Sequence, residues 1–143
     1  MKKVYLERGQ GKKPLEVHTS FVQVFRGAGT GIYQITGTCS HHLLHWLLVN
    51  MNTYNVVILN SASRGDFIAD VISNSGRRYA HSTIKQAINE LIKHDLMISM
   101  SDPGKREASY MMNPNHFWRS PKRGDRFETV KAYKFKKEQH ETN

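Results

Sequence analysis

The chain has 143 residues, 38% of them hydrophobic, which suits one domain with a modest core and is too few for two ordinary domains. No apolar run approaches the roughly 18 residues of a membrane span, the basic N-terminus lacks the apolar segment of a signal peptide, and a single cysteine, Cys39, excludes an internal disulfide. The net charge of +9 favours a polyanionic partner, and residues 77–137 carry 14 Lys and Arg against 6 Asp and Glu. We therefore expect a cytoplasmic protein that binds nucleic acid and has no membrane anchor.

Residues 1–18 are polar and contain several glycines and lysines, which predicts a flexible basic arm that is mobile in the absence of DNA. The apolar residues of Thr19–Phe25 then predict a short strand. Alternate glycines follow in "RGAGTGIYQITGT", residues 26–38, as in some phosphate-binding loops. Those loops need Gly-x-Gly-x-x-Gly leading into a helix, or a Gly-Lys-Ser/Thr ending, and neither is present, so the segment is predicted to be a mobile loop.

Two helices separated by a strand are predicted next. Ser40–Met51 begins with a residue that favours the N-cap and is apolar on nearly every side, which indicates the central core helix. The β-branched run in "NVVILN", residues 55–60, predicts a short buried or half-buried strand. Ser63, with Asp66 three residues later, has the reciprocal capping pattern of a helix start, and this helix is expected to end just before Gly76.

The clearest helical pattern lies in the segment that follows, "HSTIKQAINELIK". Its apolar residues recur at intervals of three and four, as on a helix that packs against a core, and they are Ile84, Ala87, Ile88, Leu91 and Ile92. The opposite side of this helix is polar. Two strands, "LMISM" and "ASYMM", are predicted after it, joined by the turn "SDPGKRE", which has a basic tip.

The predicted elements follow one another as helix, strand, helix, turn, helix, strand, hairpin tip and strand. This is the order of a winged helix-turn-helix domain, so we predict an α+β fold with such a domain at residues 19–120 and an additional N-terminal strand. The flexible arm of residues 1–18 precedes it. Residues 121–143 are predicted to be a basic C-terminal extension, helical in part, that makes a second electrostatic contact.

Double-stranded DNA is the partner that this arrangement predicts. The second helix of a helix-turn-helix unit enters the major groove, where residues near its N-terminus meet base edges, while flanking residues hold phosphates and fix the register. The alternative is that its polar side is only a solvated face. The predicted base-reading residues are His81, Ser82, Lys85, Gln86 and Asn89. The predicted backbone contacts are Arg77, Arg78 and Tyr79 before the helix, Lys105 and Arg106 at the hairpin tip, and Arg119, Lys122 and Arg123 beyond it.

Two other patterns raise the alternative of an enzyme. The segment "CSHHLLH", residues 39–45, places His41 and His45 one helical turn apart, so a zinc or copper site is one interpretation. Apolar neighbours, and the lack of nearby Asp or Glu, favour residues at a helix start and core rim instead. Tyr133 and Lys137 have the Tyr-x-x-x-Lys spacing of rolling-circle nicking enzymes, but the His-hydrophobe-His metal motif of those enzymes is absent. We predict a protein that is not an enzyme and needs no metal or cofactor.

Four segments of the chain together resemble the winged-helix plasmid replication proteins of the RepL type. The segments are "FVQVF" at 21–25, "LLHWLLVNMNTYNVVIL" at 43–59, "STIKQAINELIKHDLMIS" at 82–99 and "YMMNPNHFWRS" at 110–120. Members of that family typically begin the recognition helix with Thr and a hydrophobe, and end the hairpin in Tyr-x-hydrophobe-Asn-Pro before an aromatic and a basic residue. The matching residues are Thr83, Ile84, Tyr110, Met112, Asn113, Pro114, Phe117 and Arg119. The chain departs from the family at Ala80, where a capping serine is common, and in the long linker "SNSGRRY", residues 73–79.

The resemblance implies an initiator that binds the replication origin of its plasmid and recruits host replication proteins. A winged-helix transcriptional regulator that represses its own promoter is the alternative, because both functions need the same groove-reading helix. A homodimer is a further possibility, with Trp46 or the C-terminal aromatic residues at its interface.

Overall fold

A computed structural model describes residues 3–6, 15–18, 22–102, 104–106, 108–119 and 123–142. The described elements, in chain order, are β1 (Lys3–Leu6), β2 (Leu15–His18), β3 (Gln23–Val24), α1 (Ala28–Gln34), α2 (Thr38–Asn50), β4 (Val56–Ile58), α3 (Ser61–Ser75), α4 (His81–Lys93), β5 (Met97–Ser99), β6 (Ser109–Met112), β7 (Phe117–Trp118) and α5 (Arg123–Thr142). The fold is α+β, with small antiparallel sheets. Within the described part of the chain, no helix has the length and apolar character needed to cross a membrane.

Helix α2 forms the centre of the core, as its nearly continuous apolar sequence predicts. Leu43 and Leu47 are completely buried. The prediction that Ser40 caps this helix is wrong, because the N-cap is Gly37 and Ser40 is buried within the first turn. The physical reason is a cap supplied from another helix: the Gly37 amide donates to Oε1 of Glu90 in α4 at 3.2 Å.

Helix α3 has a capping box, but Asn60 rather than Ser63 is its N-cap residue. The Ser63 amide donates to Asn60 Oδ1 at 3.0 Å, and the Asn60 amide donates to Ser63 Oγ at 2.8 Å. The predicted pair of Ser63 with Asp66 is therefore wrong, because asparagine fits the N-cap as well as serine and starts the helix earlier. Gly76 ends the helix in a left-handed conformation with φ of 70°, which confirms the predicted end.

Helix α4 buries the predicted apolar face. The buried residues are Ile84, Ala87, Ile88 and Leu91, and Ile92 is partly buried against the same core. The helix starts at His81 behind Ala80, which gives no side-chain cap. Its C-terminal connection passes through Asp95, whose φ of 57° lies in the left-handed region.

The predicted strands after α2 and α4 are present in one antiparallel sheet with the order β4-β6-β5. Tyr110 in β6 pairs with Val57 on one side and Ser99 on the other. All of β5 is buried, and the central strand β6 is buried except at its first residue. The sheet therefore fixes the hairpin between β5 and β6 to the strand that follows α2.

Two segments between residues 22 and 38 differ from their prediction. The predicted mobile loop contains helix α1, in which an added Cβ at Gly31 would lie 3.0 Å from Leu96 Cδ2 and 3.1 Å from the His94 carbonyl oxygen. Glycine suits this close packing, because a side chain there would require Leu96 or the backbone at His94 to shift, although glycine weakens helix propensity. The predicted strand at residues 19–25 is reduced to β3, which pairs with the unpredicted strand β7; residues 19–21 lie outside the described part.

The described parts of the N-terminal arm form a two-stranded antiparallel sheet, where the sequence prediction had no strand. β1 pairs with β2 so that Val4 is opposite Val17 and Leu6 is opposite Leu15. Apolar residues at alternate positions, as in these two strands, are typical of a β-strand. The pattern is short and is surrounded by glycines and lysines, which favour the prediction of a flexible segment. The remaining residues of the arm lie outside the described part, and its mobility stays a prediction.

The predicted C-terminal helix is present as α5, 20 residues long. Tyr133 on its inner side joins a second apolar cluster with Ile98 and Met111 of the sheet. Arg126 Nε donates to the Pro114 carbonyl at 2.9 Å, so the start of the helix is also tied to the hairpin region. The extension thus packs against the sheet.

Candidate nucleic-acid interface

The polar side of α4 forms the exposed part of the candidate site. Its five predicted base-reading residues are all exposed, and they are His81, Ser82, Lys85, Gln86 and Asn89. On the other side of the same helix, Ile84 and Leu91 are completely buried. A helix holds its side chains at fixed angles around its axis. Burial of the apolar side of α4 therefore fixes the direction in which its polar side chains point.

The connection from α3 to α4 exposes Arg77 and Arg78 beside the first turn of α4. The Arg77 amide donates to Ser75 Oγ at 3.3 Å, which orders the backbone just after the Gly76 cap. The guanidinium groups of Arg77 and Arg78 are therefore close in sequence to the first N–H groups of α4, which no side chain caps. This combination of cations and unpaired amides suits phosphate oxygens.

Tyr79 differs from its two arginine neighbours, because it is partly buried and its polar atom has a partner within the protein. Its hydroxyl is hydrogen-bonded to His42 Nδ1 at 2.9 Å, and its ring stacks on Phe67 with a centroid distance of 6.4 Å and an interplanar angle of 7°. Tyr79 thus ties the connection to α2 and α3. Ala80 is the N-cap of α4, so Tyr79 occupies the position directly before the cap. A hydrophobic residue at that position often packs against its surroundings, and this was the sequence signal for the contact.

The hairpin tip exposes the two predicted basic residues, Lys105 and Arg106. The tip is a turn in which the Lys105 amide donates to the Asp102 carbonyl at 3.0 Å, with Gly104 at φ of 83°. The Asp102 carboxylate pairs with Lys136 of α5 at 3.1 Å. Helix α5 therefore braces the base of the turn and leaves its two cations exposed.

Of the three predicted contacts beyond the hairpin, Arg119 has a structural partner. Its Nη1 donates to the carbonyl of Val49 at 2.9 Å and also to the carbonyl of Met51, so it caps the C-terminal end of α2. Lys122 lies outside the described residues, and Arg123 is the first residue of α5. No local pattern in the sequence indicates the role of Arg119, because its partners lie about 70 residues earlier.

Glu90 is a second residue that the sequence analysis missed. Its carboxylate accepts hydrogen bonds from the Gly37 amide and the Thr36 hydroxyl, both at 3.2 Å, and so joins α4 to the start of α2. Desolvation raises the pKa of Glu90, but hydrogen bonds from Ser40, Gly37 and Thr36 lower it more, and the pKa lies below its usual value. The carboxylate therefore helps to set the position of α4 on α2.

The histidine segment does not form a cluster that suits a metal. Among the described residues, no group of three His, Cys, Asp or Glu side chains is placed to hold a metal ion. His41 Nε2 is hydrogen-bonded to the Ile35 carbonyl at 3.1 Å, and Cys39 is buried, which raises the pKa of its thiol to about 11. His41 lies in the first turn of α2 and His42 is partly buried, as expected of a helix start and core rim, whereas His45 is exposed in the middle of the helix.

The arrangement of Tyr133 and Lys137 is unsuited to strand nicking. The Tyr133 side chain is buried and its hydroxyl donates to Asp95 Oδ1 at 2.8 Å, while Lys137 pairs with Oδ2 of the same carboxylate at 3.1 Å. Burial, followed by the charge and hydrogen bond of Asp95, raises the pKa of Tyr133 far above its usual value. A hydroxyl held in this way is a poor nucleophile, because it is neither ionised nor accessible.

Comparisons with protein-family models, with curated proteins and with solved structures found no match to this chain.

Proposed function

We propose that the chain is a winged-helix protein that binds double-stranded DNA sequence-specifically, with α4 as the helix that enters the major groove. The observation that carries this proposal is the exposed polar face of α4, which is supported by complete burial of Ile84 and Leu91 on its other side. Base readout needs side-chain donors and acceptors held in a fixed geometry, and a helix packed in this way provides it.

The order of the elements supports the proposal. Helices α2, α3 and α4 follow one another with β4 after the first, and β5 and β6 then form a hairpin paired to β4. A winged helix-turn-helix domain is expected to have this order, with α4 as recognition helix and the hairpin as wing. The exposed cations Lys105 and Arg106 occupy the tip of that hairpin, where they suit the neighbouring minor groove or phosphate backbone.

Different residues take different tasks in this proposal. Gln86 and Asn89 suit adenine, to which amide side chains pair bidentately, and Lys85 suits the guanine acceptors. Arg77 and Arg78, exposed directly before α4, hold phosphates and fix the register of this helix. His81 and Ser82 lie in the first turn of α4 and complete the base-reading set.

We further propose that this DNA binding serves initiation of plasmid replication at an origin, with recruitment of host replication proteins and without catalysis by this chain. The support for the origin is the resemblance of the sequence segments to RepL-type proteins. The support for a non-enzymatic role is Tyr133, whose hydroxyl is buried and bound to Asp95. A transcriptional regulator is the alternative, and the exposed face of α4 favours it equally.

DNA binding is tested by fluorescence anisotropy with mixed-sequence duplexes at several salt concentrations. Arg78→Ala is expected to weaken binding and to make the slope of log affinity against log salt shallower by about one, because one phosphate contact is lost. Arg26→Ala removes the same charge from an exposed residue before α1, outside all the predicted DNA contacts, and is the matched control. Absence of binding at low salt, or equal effects of the two variants, would contradict the proposal.

The biological role is tested with a small plasmid that lacks its own origin and carries the gene with its flanking DNA. Replication that a frameshift in the gene abolishes supports initiation. Repression of a reporter at the gene's own promoter, without replication, supports the regulator instead. Nicking of supercoiled DNA by the purified protein with a divalent metal would overturn the non-enzymatic part of the proposal.

A further inference from the structure

A cavity of about 540 Å³ lies between α2 and α3. Its volume falls within the roughly 300–1,000 Å³ of small-molecule sites in proteins. Two aromatic residues form part of its wall: Trp46 and Phe67 meet edge to face, with ring centroids 5.9 Å apart at 69°. Val49 and Val71 extend the apolar lining.

The charge of this cavity is opposite to that of the chain. The net charge of the protein is +9, yet the described residues that line the cavity include no Lys or Arg and one carboxylate, Asp70. Asp70 is exposed, and its Oδ2 accepts a hydrogen bond from Trp46 Nε1 at 3.0 Å. The indole therefore holds the carboxylate at the aromatic wall.

We propose that this cavity binds a small organic ammonium ion with an aromatic or alkyl tail. Asp70 supplies the counter-charge and a charge-assisted hydrogen bond to the ammonium group. The partly exposed ring of Trp46, backed by the buried ring of Phe67, attracts the cation through its π-electrons, and the apolar lining covers the tail. An organic anion of the same size is disfavoured, because it meets the Asp70 carboxylate and no Lys or Arg in the described lining, where the other titratable groups are His42 and His45.

The cavity is connected to the start of α4 through two shared side chains. Phe67 and His42 both line it, and both contact Tyr79, the first by ring stacking and the second by a 2.9 Å hydrogen bond. Tyr79 lies between Arg78 and the N-cap of α4. On the proposed function, these contacts give an occupant of the cavity a route to the start of α4, and the ammonium ion is expected to act as an effector of DNA affinity.

Binding is tested by NMR on the full chain, with phenethylammonium chloride as the probe and sodium phenylacetate as the anionic control. The chain has two tryptophans, so the indole N–H resonance of Trp46 reports the cavity and that of buried Trp118, outside the lining, is the internal reference. A saturable shift of the Trp46 resonance with phenethylammonium, and none with phenylacetate, is expected.

Asp70→Asn removes the charge but keeps an oxygen that accepts from Trp46, and we expect it to weaken phenethylammonium binding about tenfold or more. Asp66→Asn makes the same change on the same helix at an exposed residue outside the lining and is expected to bind normally. Val49→Lys adds a cation at the exposed rim without touching the core, so it repels the probe even if Asp70→Asn folds poorly.

Equal binding of phenylacetate, unchanged affinity in Asp70→Asn and Val49→Lys, or no saturable shift would overturn the site. A Trp46 shift that depends on protein concentration without probe would mean that a second copy fills the cavity, and would also overturn it. The effector role is tested separately: phenethylammonium is expected to change DNA affinity in the wild type and to change it less in Tyr79→Phe, which keeps the stacked ring but loses the hydrogen bond to His42. Unchanged wild-type DNA affinity despite a saturated Trp46 shift would overturn that role alone.

Discussion

Helices α4 and α5 both carry basic residues, but the structure uses those residues in opposite ways. In α4, Lys85 is exposed together with the polar residues around it, while the apolar side is buried. In α5, Lys136 and Lys137 pair with Asp102 and Asp95, each at 3.1 Å. The first helix leaves its cation exposed to solvent, and the second uses these two cations to attach itself to the rest of the domain.

This difference shows that a basic stretch of sequence is not the same as a basic surface. Arg126 confirms the point, because its guanidinium lies 4.2 Å from the centroid of the Phe25 ring and also binds the Pro114 carbonyl. Arg119 caps α2. The C-terminal extension is predicted to make a second electrostatic contact. Fewer of its cations are free for such a contact than its composition suggests, although Lys134 is exposed.

The largest expected effect concerns the buried side of α4 and its neighbour α2. Leu91→Ala and Leu47→Ala are each expected to lower the free energy of unfolding by about 2–5 kcal/mol, because both residues are completely buried and truncation leaves a cavity. Lys85→Ala, on the exposed side of α4, is the control and is expected to change stability little. Urea denaturation measures all three, and a similar loss for Lys85→Ala would mean that the two sides of α4 are wrongly assigned.

The next effect concerns the attachment of α5. Asp95→Ala is expected to lower the free energy of unfolding by about 1–3 kcal/mol, because the buried Tyr133 hydroxyl loses its acceptor. Asp95→Asn keeps an acceptor oxygen and tolerates the left-handed φ of 57°, so its loss is expected to be smaller. Hydrogen exchange in α5 is expected to rise more in the alanine variant; unchanged exchange there would show that α5 does not depend on its ionic partners.

The comparison of the two helices is sharpened by a binding measurement on Gln86. If α4 reads bases, Gln86→Ala weakens binding to a duplex selected from a random pool by about 1–3 kcal/mol and leaves scrambled duplexes nearly unaffected. Lys134→Ala on α5 is expected to leave this discrimination intact. An equal loss of selected and scrambled DNA in Gln86→Ala would assign Gln86 to the backbone instead.

The smallest effect is a pH dependence from Glu90. The pKa of Glu90 is lowered in the folded protein, so its contribution to stability is present above the ordinary carboxyl pKa and is lost as the pH falls through the folded value. Glu90→Gln keeps acceptors for the Gly37 amide but cannot titrate. Its stability is expected to fall less steeply than that of the wild type on acidification, as measured by thermal unfolding at several acidic pH values; parallel curves would contradict this role.

The elements with a strong local pattern were predicted well. The spacing of Ile84, Ala87, Ile88 and Leu91 identified α4 and its buried side, because helical geometry alone places these residues together. Gly76 marked the end of α3 through its freedom to adopt positive φ. In contrast, the sequence predicts a loop where α1 lies, since glycines lower helix propensity, and the close approach of Gly31 to Leu96 is visible only in the tertiary structure.

The sequence by itself determined the succession of helices and strands from α2 to β6 and the polar side of α4, because periodicity and turn residues act over a few positions. Only the tertiary structure decided which polar residues are free. Tyr79 with His42, Glu90 with Gly37 and Arg119 with Val49 are pairs separated by 37 to 70 residues, so no local pattern signals them. Such pairs form when the packing of helices brings polar groups from distant segments of the chain next to one another, where each satisfies the other's hydrogen-bonding capacity.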